Sequence, residues 1–233
     1  MMDLTFKMNK IILQFVLLDE LNSRKESNMK YKFGFLTLSL TAFMAVAFLM
    51  SGNMALAAEG GGKELVIADF DTGDKPNNIG GDFGAWDKDP NDDTQSTQMA
   101  FEPDDALGDP AGYSIRLDYD VDSPNPAYNG FWMKLNGEDA TAYNTLNFYI
   151  KGDAKAGFTK RVKIELKDMT NKPSPYIVTG ITDKWTKVSI PFEKFRRITD
   201  WKSLNEFVVV FDDINSNPKT GTIFIDQVTL AKE

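Results

Sequence analysis

The sequence predicts an all-β domain folded as a sandwich, and three observations predict it. Apolar residues recur at every second position in most of about nine or ten short segments, which is the period of a strand with one face buried. Turn formers separate those segments with little helical periodicity between them, as in a sandwich and unlike an alternating α/β chain. The third observation is WTKVSIPFEKF at residues 185–195. Thr186, Val188 and Ile190 point one way and Trp185, Lys187 and Ser189 the other, until Pro191 removes a backbone donor and ends the strand or places it at an edge. Phe192 and Phe195 carry apolar surface onward, as a corner that packs back under the sheet.

The chain has 233 residues, 42% hydrophobic and 26% charged, an ordinary globular balance with enough apolar material for one sizeable core. Residues 29–57 read as a secretory signal: Lys30 and Lys32 form a basic start, the run from Phe33 to Met50 is almost wholly apolar, and Ala55-Leu56-Ala57 supplies the small-x-small cleavage pattern. An uncleaved membrane anchor is the alternative, since the apolar run approaches the length of a span. Residues 1–28 precede a signal that should itself begin the chain, so they read as a mis-called upstream extension with the true start at Met29. Residues 58–62 are a Gly-rich tether, and residues 63–233 form one domain. Cleavage would leave a secreted or periplasmic protein with no membrane association.

The absence of cysteine excludes disulfides, thiolate metal sites, a Cys nucleophile and a lipidated cysteine at the cleavage site. The absence of histidine removes Ser-His-Asp chemistry, imidazole bases and the usual zinc or copper ligands. Any metal site left is all-oxygen. Removing residues 1–57 takes away six of 26 basic and four of 34 acidic residues and leaves 20 against 30, a net charge of −10. Such a domain is a poor partner for nucleic acid or anionic polymers.

Taken in order, ELVIADF at residues 64–70 is the first strand. Residues 72–110 then read as a long polar loop: Pro76, Asn77, Asn78, Gly80, Gly81, Gly84 and Pro90 punctuate it, and twelve acids from Asp69 to Asp109 face only Lys75 and Lys88. Phe83 and Trp86 inside it favour an ordered loop. YSIRLDY at 113–119 turns Tyr113, Ile115, Leu117 and Tyr119 inward. The strand over 128–135 turns Phe131, Met133 and Leu135 inward with Trp132 and Lys134 outward. Residues 140–143 suggest a helical turn. Leu146, Phe148 and Ile150 face the core against Asn147, Tyr149 and Lys151, and Val162, Ile164 and Leu166 repeat the pattern. A short strand at 176–179 is entered through Pro173 and Pro175. Residues 198–205 are expected to form a short helix, 206–211 a strand buried on both sides, and 223–230 the closing strand.

In this order LVIADFD (65–71), TLNFYIKGD (145–153), WTKVSIPFEKF and GTIFIDQVTL (221–230) resemble the galactose-binding-like jelly rolls of carbohydrate-binding modules, especially the family 11 type. They also resemble the related domain of the complex I intermediate-associated proteins. The resemblance covers nearly all of the mature chain. It implies two stacked antiparallel sheets in a jelly-roll β-sandwich, a concave face able to hold a glycan, and often a structural calcium ion between the first and last strands. KPNNIGGDFGAWDKDP at 75–90 departs from that pattern and leaves the ligand open.

A glycan offers apolar C–H faces and a rim of hydroxyls, so its site needs exposed aromatic platforms beside groups that donate and accept hydrogen bonds. Trp132 and Tyr149 are aromatic residues on the outward side of their strands. Arg116, Lys134, Asn147 and Lys151 would supply polar contacts if they share that face, and Trp86, Tyr128 and Tyr176 are loop or edge candidates. The bland alternative is that each ring belongs to a second layer of core. A calcium ion needs six to eight oxygens. The resemblance would place such oxygens at Asp69, Asp71 and Asp226, with Glu64 a further possibility and Asp212-Asp213 or Asp87-Asp89 weaker ones. The alternative reading is that the acids are solvated charge that keeps the protein soluble, since EF-hand spacing is missing. The sequence therefore reads as an exported, non-catalytic binding module for a neutral polysaccharide or oligosaccharide. An envelope protein adaptor is the alternative, and a glycosidase, which needs only two carboxylates of separated pKa, is the third reading.

Overall fold

Alternation of apolar and polar side chains settles into eleven strands, all paired antiparallel, in the computed structural model, which describes residues 62–108 and 112–233. The expected extension, signal and most of the tether lie outside the described residues. Among those described, no helix is long and apolar enough to cross a membrane.

The first sheet runs β3 (Ser96–Glu102), β4 (Ser114–Asp120), β11 (Thr220–Ala231), β6 (Thr145–Gly152) and β9 (Thr186–Pro191). The last strand is long enough to take two partners along one edge: β4 pairs with its first half and β1 (Glu64–Ala68) with its second. The second sheet runs β2 (Phe83–Asp87), β5 (Tyr128–Glu138), β10 (Leu204–Asp212), β7 (Arg161–Asp168) and β8 (Ser174–Thr179).

The inward stripes of the two sheets meet as expected. Leu117, Ile150 and Ile223 from the first, with Met133, Ile164 and Val209 from the second, are fully or almost fully buried. Rings bridge the layers: Tyr119 stacks on Phe211 at 4.2 Å, and Phe148 meets Phe207 edge-on at 5.9 Å. Such pairs add about 0.5–1.5 kcal/mol each beyond the area they bury. The expected strand end at Pro191 holds, and β9 is a sheet edge. Phe192 and Phe195 then enter the core from a 3-10 turn, Phe192–Lys194. The helical turn expected near residue 140 is a 3-10 turn, Ala140–Ala142, capped by Asp139, whose carboxylate accepts the N–H of Thr141.

Two expectations are corrected. Residues 72–110 are not one loop, because β2 and β3 lie within them. Phe83 on β2 is fully buried, and Phe101 on β3 packs against the core beside it at 6.0 Å between ring centres. Residues 198–205 form no helix. Ile198 is buried and Trp201 stacks on Phe192 at 4.1 Å, but the N–H groups of Thr199 and Asp200 go to the Asp168 carboxylate instead of a helical ladder, and β10 begins at Leu204.

Candidate functional site

The outer face of the second sheet carries a groove of about 860 Å³. Its floor is set by register. In one row across the strands, Gly84, Trp132, Val208, Glu165 and Pro175 are successive partners; in the next, Trp86, Gly130, Val210 and Lys163. A third row joins Lys134, Glu206 and Lys167. Because side chains alternate, the same strands turn Phe131, Met133, Phe207 and Val209 into the core and these residues out.

Each groove tryptophan stands opposite a glycine. Side-chain room at Gly84 is taken by Trp132, whose Nε1 would lie 3.5 Å from a methyl group placed there. Gly130, opposite Trp86, has a firmer reason to be glycine: a Cβ would fall 1.9 Å from the Val209 carbonyl oxygen. At this end Trp86 and Tyr128 meet edge-on at 5.8 Å, Tyr128 is 43% exposed, and Lys88 lies over its ring while donating to the Pro126 carbonyl. The β2 strand that presents Trp86 is hooked to the other sheet, since the Asp87 carboxylate accepts the Thr97 N–H at 2.7 Å, and the Thr97 hydroxyl donates to buried Asn129. Ile214, 88% exposed, stands at the rim on a loop tied by the Asp212 carboxylate, which accepts the N–H groups of Ile214 and Asn215.

The groove's lysines are committed to partners. Lys134 and Lys167 both donate to Glu206, at 2.5 and 2.7 Å, and Lys163 pairs with Asp212 at 2.8 Å. Lys134 also lies over the Trp132 ring, 5.7 Å from its centre. Burial pushes the Glu206 carboxyl up, but the hydrogen bonds from Lys134 and Lys167 outweigh it and hold the group below the ordinary range. Asp212 is lowered in the same way, burial opposing and Lys163 and Asn215 prevailing. Glu165 differs: burial pushes it up, and its lysine neighbours only moderate the rise.

The structure divides the expected ligand residues. Trp86, Tyr128, Trp132 and Lys134 come together in the groove. Arg116, Asn147, Tyr149 and Lys151 face outward from the first sheet, on the opposite side of the sandwich. There Arg116 is engaged by Asp118, buried Asn147 donates to Glu233, and Lys151 pairs with Asp105 beside Trp185 and Phe224. Tyr176, on edge strand β8, turns its ring inward against Phe195. Sequence reasoning missed Glu165, Glu206, Val208, Val210 and Ile214. Glu165 read only as one of the outward residues of its strand, and Glu206, Val208 and Val210 fell in a segment read as buried on both sides, as β10 is at nearly every side chain.

The expected calcium ligands lie near one another. Asp226 in β11 is fully buried and accepts the N–H groups of Leu107 and Gln227. Burial, with the negative charges of Asp71 and Asp69 adding to it, pushes its carboxyl up to about 6. Burial and then Asp69 likewise raise Asp71. This mutual repulsion suits a hard cation. The side chains as placed do not converge on one centre, and no ready metal cluster of acidic side chains occurs among the described residues. Exposed Asp71 would have to turn inward to join one.

The model of the family described as carbohydrate binding domain 30 matches residues 77–232. Among solved structures, the chain is similar to the family 11 carbohydrate-binding module of the cellulosomal cellulase Lic26A-Cel5E of Clostridium thermocellum, with a TM-score of 0.52 and 17% identity over 73% of this chain and 95% of that one. It is also similar to a family 11 module from Clostridium thermocellum in complex with a β-1,3-1,4-mixed-linked tetrasaccharide, with a TM-score of 0.51 and 17% identity over 72% of this chain and 95% of the other. At that identity the likeness is one of fold. A comparison with curated proteins finds no match.

Proposed function

This chain belongs to the carbohydrate-binding domain 30 family, and from that premise we propose that it is an exported, non-catalytic module that binds a neutral glycan in the groove of the second sheet. The observation that carries the reading is the gathering of Trp86, Tyr128 and Trp132 over a floor of Val208 and Val210. Flat apolar rings take the C–H faces of sugars, and the flanking carboxylates take their hydroxyls. The three groove lysines are already paired with acids, so little free positive charge is left to attract an anionic polymer. Export rests on the basic, apolar and small-x-small pattern at residues 29–57.

No observation favours the adaptor or the glycosidase. A structural calcium ion held by Asp69, Asp71 and Asp226 is carried forward as a further proposal, supported by the crowding of negative charge at buried Asp226.

The division of aromatic residues between two outer faces supplies the test. Soluble mixed-linked β-glucan, xylan and glucomannan are run in affinity gels against the secreted protein. Trp86→Ala and Trp132→Ala are expected to reduce markedly the retardation that Tyr149→Ala leaves intact. Retardation lost with Tyr149→Ala and kept with both tryptophan variants would move the site to the other sheet and overturn the reading.

A further inference from the structure

Resting on the reading that the groove holds a glycan, we propose that Glu165 is its specificity-determining residue, accepting hydroxyl hydrogens from a neutral sugar unit and turning away a unit that carries a carboxylate. Glu165 sits on the groove floor in the same row as Trp132, with Val208 between them. Two strand spacings separate the backbones of the two residues by about 9–10 Å, and the indole leans away from Glu165, over Gly84. A glycan chain that stacks on Trp132 and crosses the strands passes over Val208 and brings a later sugar unit to Glu165.

What sets Glu165 apart is its lack of a partner. Lys163 and Lys167 precede and follow it by two residues on β7 and point to the same face, but the first is held by Asp212 and the second by Glu206. Among the described residues Glu165 makes no ion pair and no hydrogen bond. The remaining charges that reach it are Arg197, whose guanidinium donates to the Pro173 carbonyl, and Asp212. Half-buried and unpaired, the carboxylate has lost water without gaining a donor, which raises its pKa and favours any ligand that brings hydroxyls. A site built to accept hydrogen bonds rejects a ligand that lacks donors there, and a second carboxylate adds repulsion in a partly desolvated place. Asp213 also lines the groove and makes no ion pair among the described residues, but it stands at the rim beside Ile214.

The probes are a β-glucan tetrasaccharide and the same tetrasaccharide with its primary alcohols oxidised to carboxylates, titrated calorimetrically at fixed ionic strength. The wild type is expected to bind the oxidised form at least about tenfold more weakly. The domain is acidic as a whole, so the informative quantity is the change between variants. Glu165→Gln keeps an acceptor and loses the charge: neutral binding should stay within about threefold while the preference collapses toward one. Asp213→Asn removes one charge at the rim and should leave the preference nearly intact. Thermal unfolding of each variant checks that the fold is retained. Equal preference in wild type and Glu165→Gln, or equal collapse in Asp213→Asn, overturns the assignment to Glu165 while leaving the groove as the glycan site. Failure of both probes to bind any form of the protein would overturn the assignment and the groove reading together.

Discussion

Removing the Trp132 indole should weaken glycan binding by about an order of magnitude while leaving the fold nearly as stable. Trp132 is half-exposed on the outer face of β5; its indole rests against the backbone of Gly84, and Lys134 lies over the ring. An aromatic side chain carries roughly 150–250 Å² of surface, so a pyranose stacked on the one open face of a half-exposed indole covers about 60–80 Å². At about 25 cal/mol per Å² that is about 1.5–2 kcal/mol. The equivalent loss is about 10- to 30-fold in Kd.

Tryptophan fluorescence gives an assay beside calorimetry. Of the four tryptophans, Trp86 and Trp132 line the groove, Trp185 lies against Phe224 on the opposite sheet, and Trp201 is stacked on Phe192. Ligand should shift the emission of the wild type and of Trp185→Phe, and shift it much less in Trp132→Ala. Trp132→Phe, which keeps a smaller platform, should fall between. A change in Kd of less than about twofold for Trp132→Ala would refute the stacking argument, because that is below one third of the area-based figure.

Three further outcomes follow from the same contacts. Glu206→Gln should lower stability by about 1 kcal/mol at neutral pH, since its ion pairs are partly solvated. The folded pKa of Glu206 is depressed, so its contribution is present above the unfolded value of about 4.3 and is lost as pH falls through the folded value. Thermal unfolding of the variant should accordingly vary less with pH below about 4 than that of the wild type, and identical profiles would contradict the pairing. Asp226 titrates the other way: its folded pKa is raised to about 6, so without a cation the protein should gain stability on acidification from pH 7 toward 4. Added calcium should raise Tm at pH 7 and remove that gain, whereas a Tm indifferent to calcium and to chelator disposes of the ion. Asp168→Ala should cost about 3–5 kcal/mol in denaturant titrations, because the fully buried carboxylate accepts the N–H groups of Thr170, Thr199 and Asp200 and both threonine hydroxyls. A loss under about 1 kcal/mol would mean that water replaces it.

Most of the strands were legible because each carries its own two-residue period, and that period needs no knowledge of neighbours. Phe131, Met133 and Leu135 against Trp132 and Lys134 is enough to fix which side of β5 is buried. The same logic was available for β2 and β3, where Phe83 and Phe101 face inward, but glycines and acids around them outweighed five- and seven-residue alternations. Ile198, Trp201 and Leu204 have helical spacing for a different reason, since the first two meet the core from an irregular segment tied down by Asp168 and Leu204 from the start of β10. What local periodicity never contains is the identity of the sheet. Trp132 and Tyr149 are both outward, yet β5 pairs with β2 and β10 while β6 pairs with β11 and β9, so the two rings end on opposite sides of the sandwich. That information lies in strand pairing across long stretches of sequence, as does the meeting of Glu206 with lysines from β5 and β7.

The groove is a by-product of how the core fixes register. Phe207 and Phe211 lock β10 against Phe148 and Tyr119 of the other sheet, and the residues between them, Val208 and Val210, are thereby fixed as a nearly solvent-free floor. The same register sets Trp132 beside Val208 and Gly130 beside Val210, so the spacing of the platforms is decided by contacts the ligand never touches. Rings held this way lose little freedom on binding, which favours affinity from a modest contact area. The ion pairs act in the same direction, because lysines bound to Glu206 and Asp212 need not reorganise when a neutral ligand displaces water from the floor. A substitution at Phe211 should therefore reduce binding as well as stability, with the floor losing its alignment before the sandwich itself is lost.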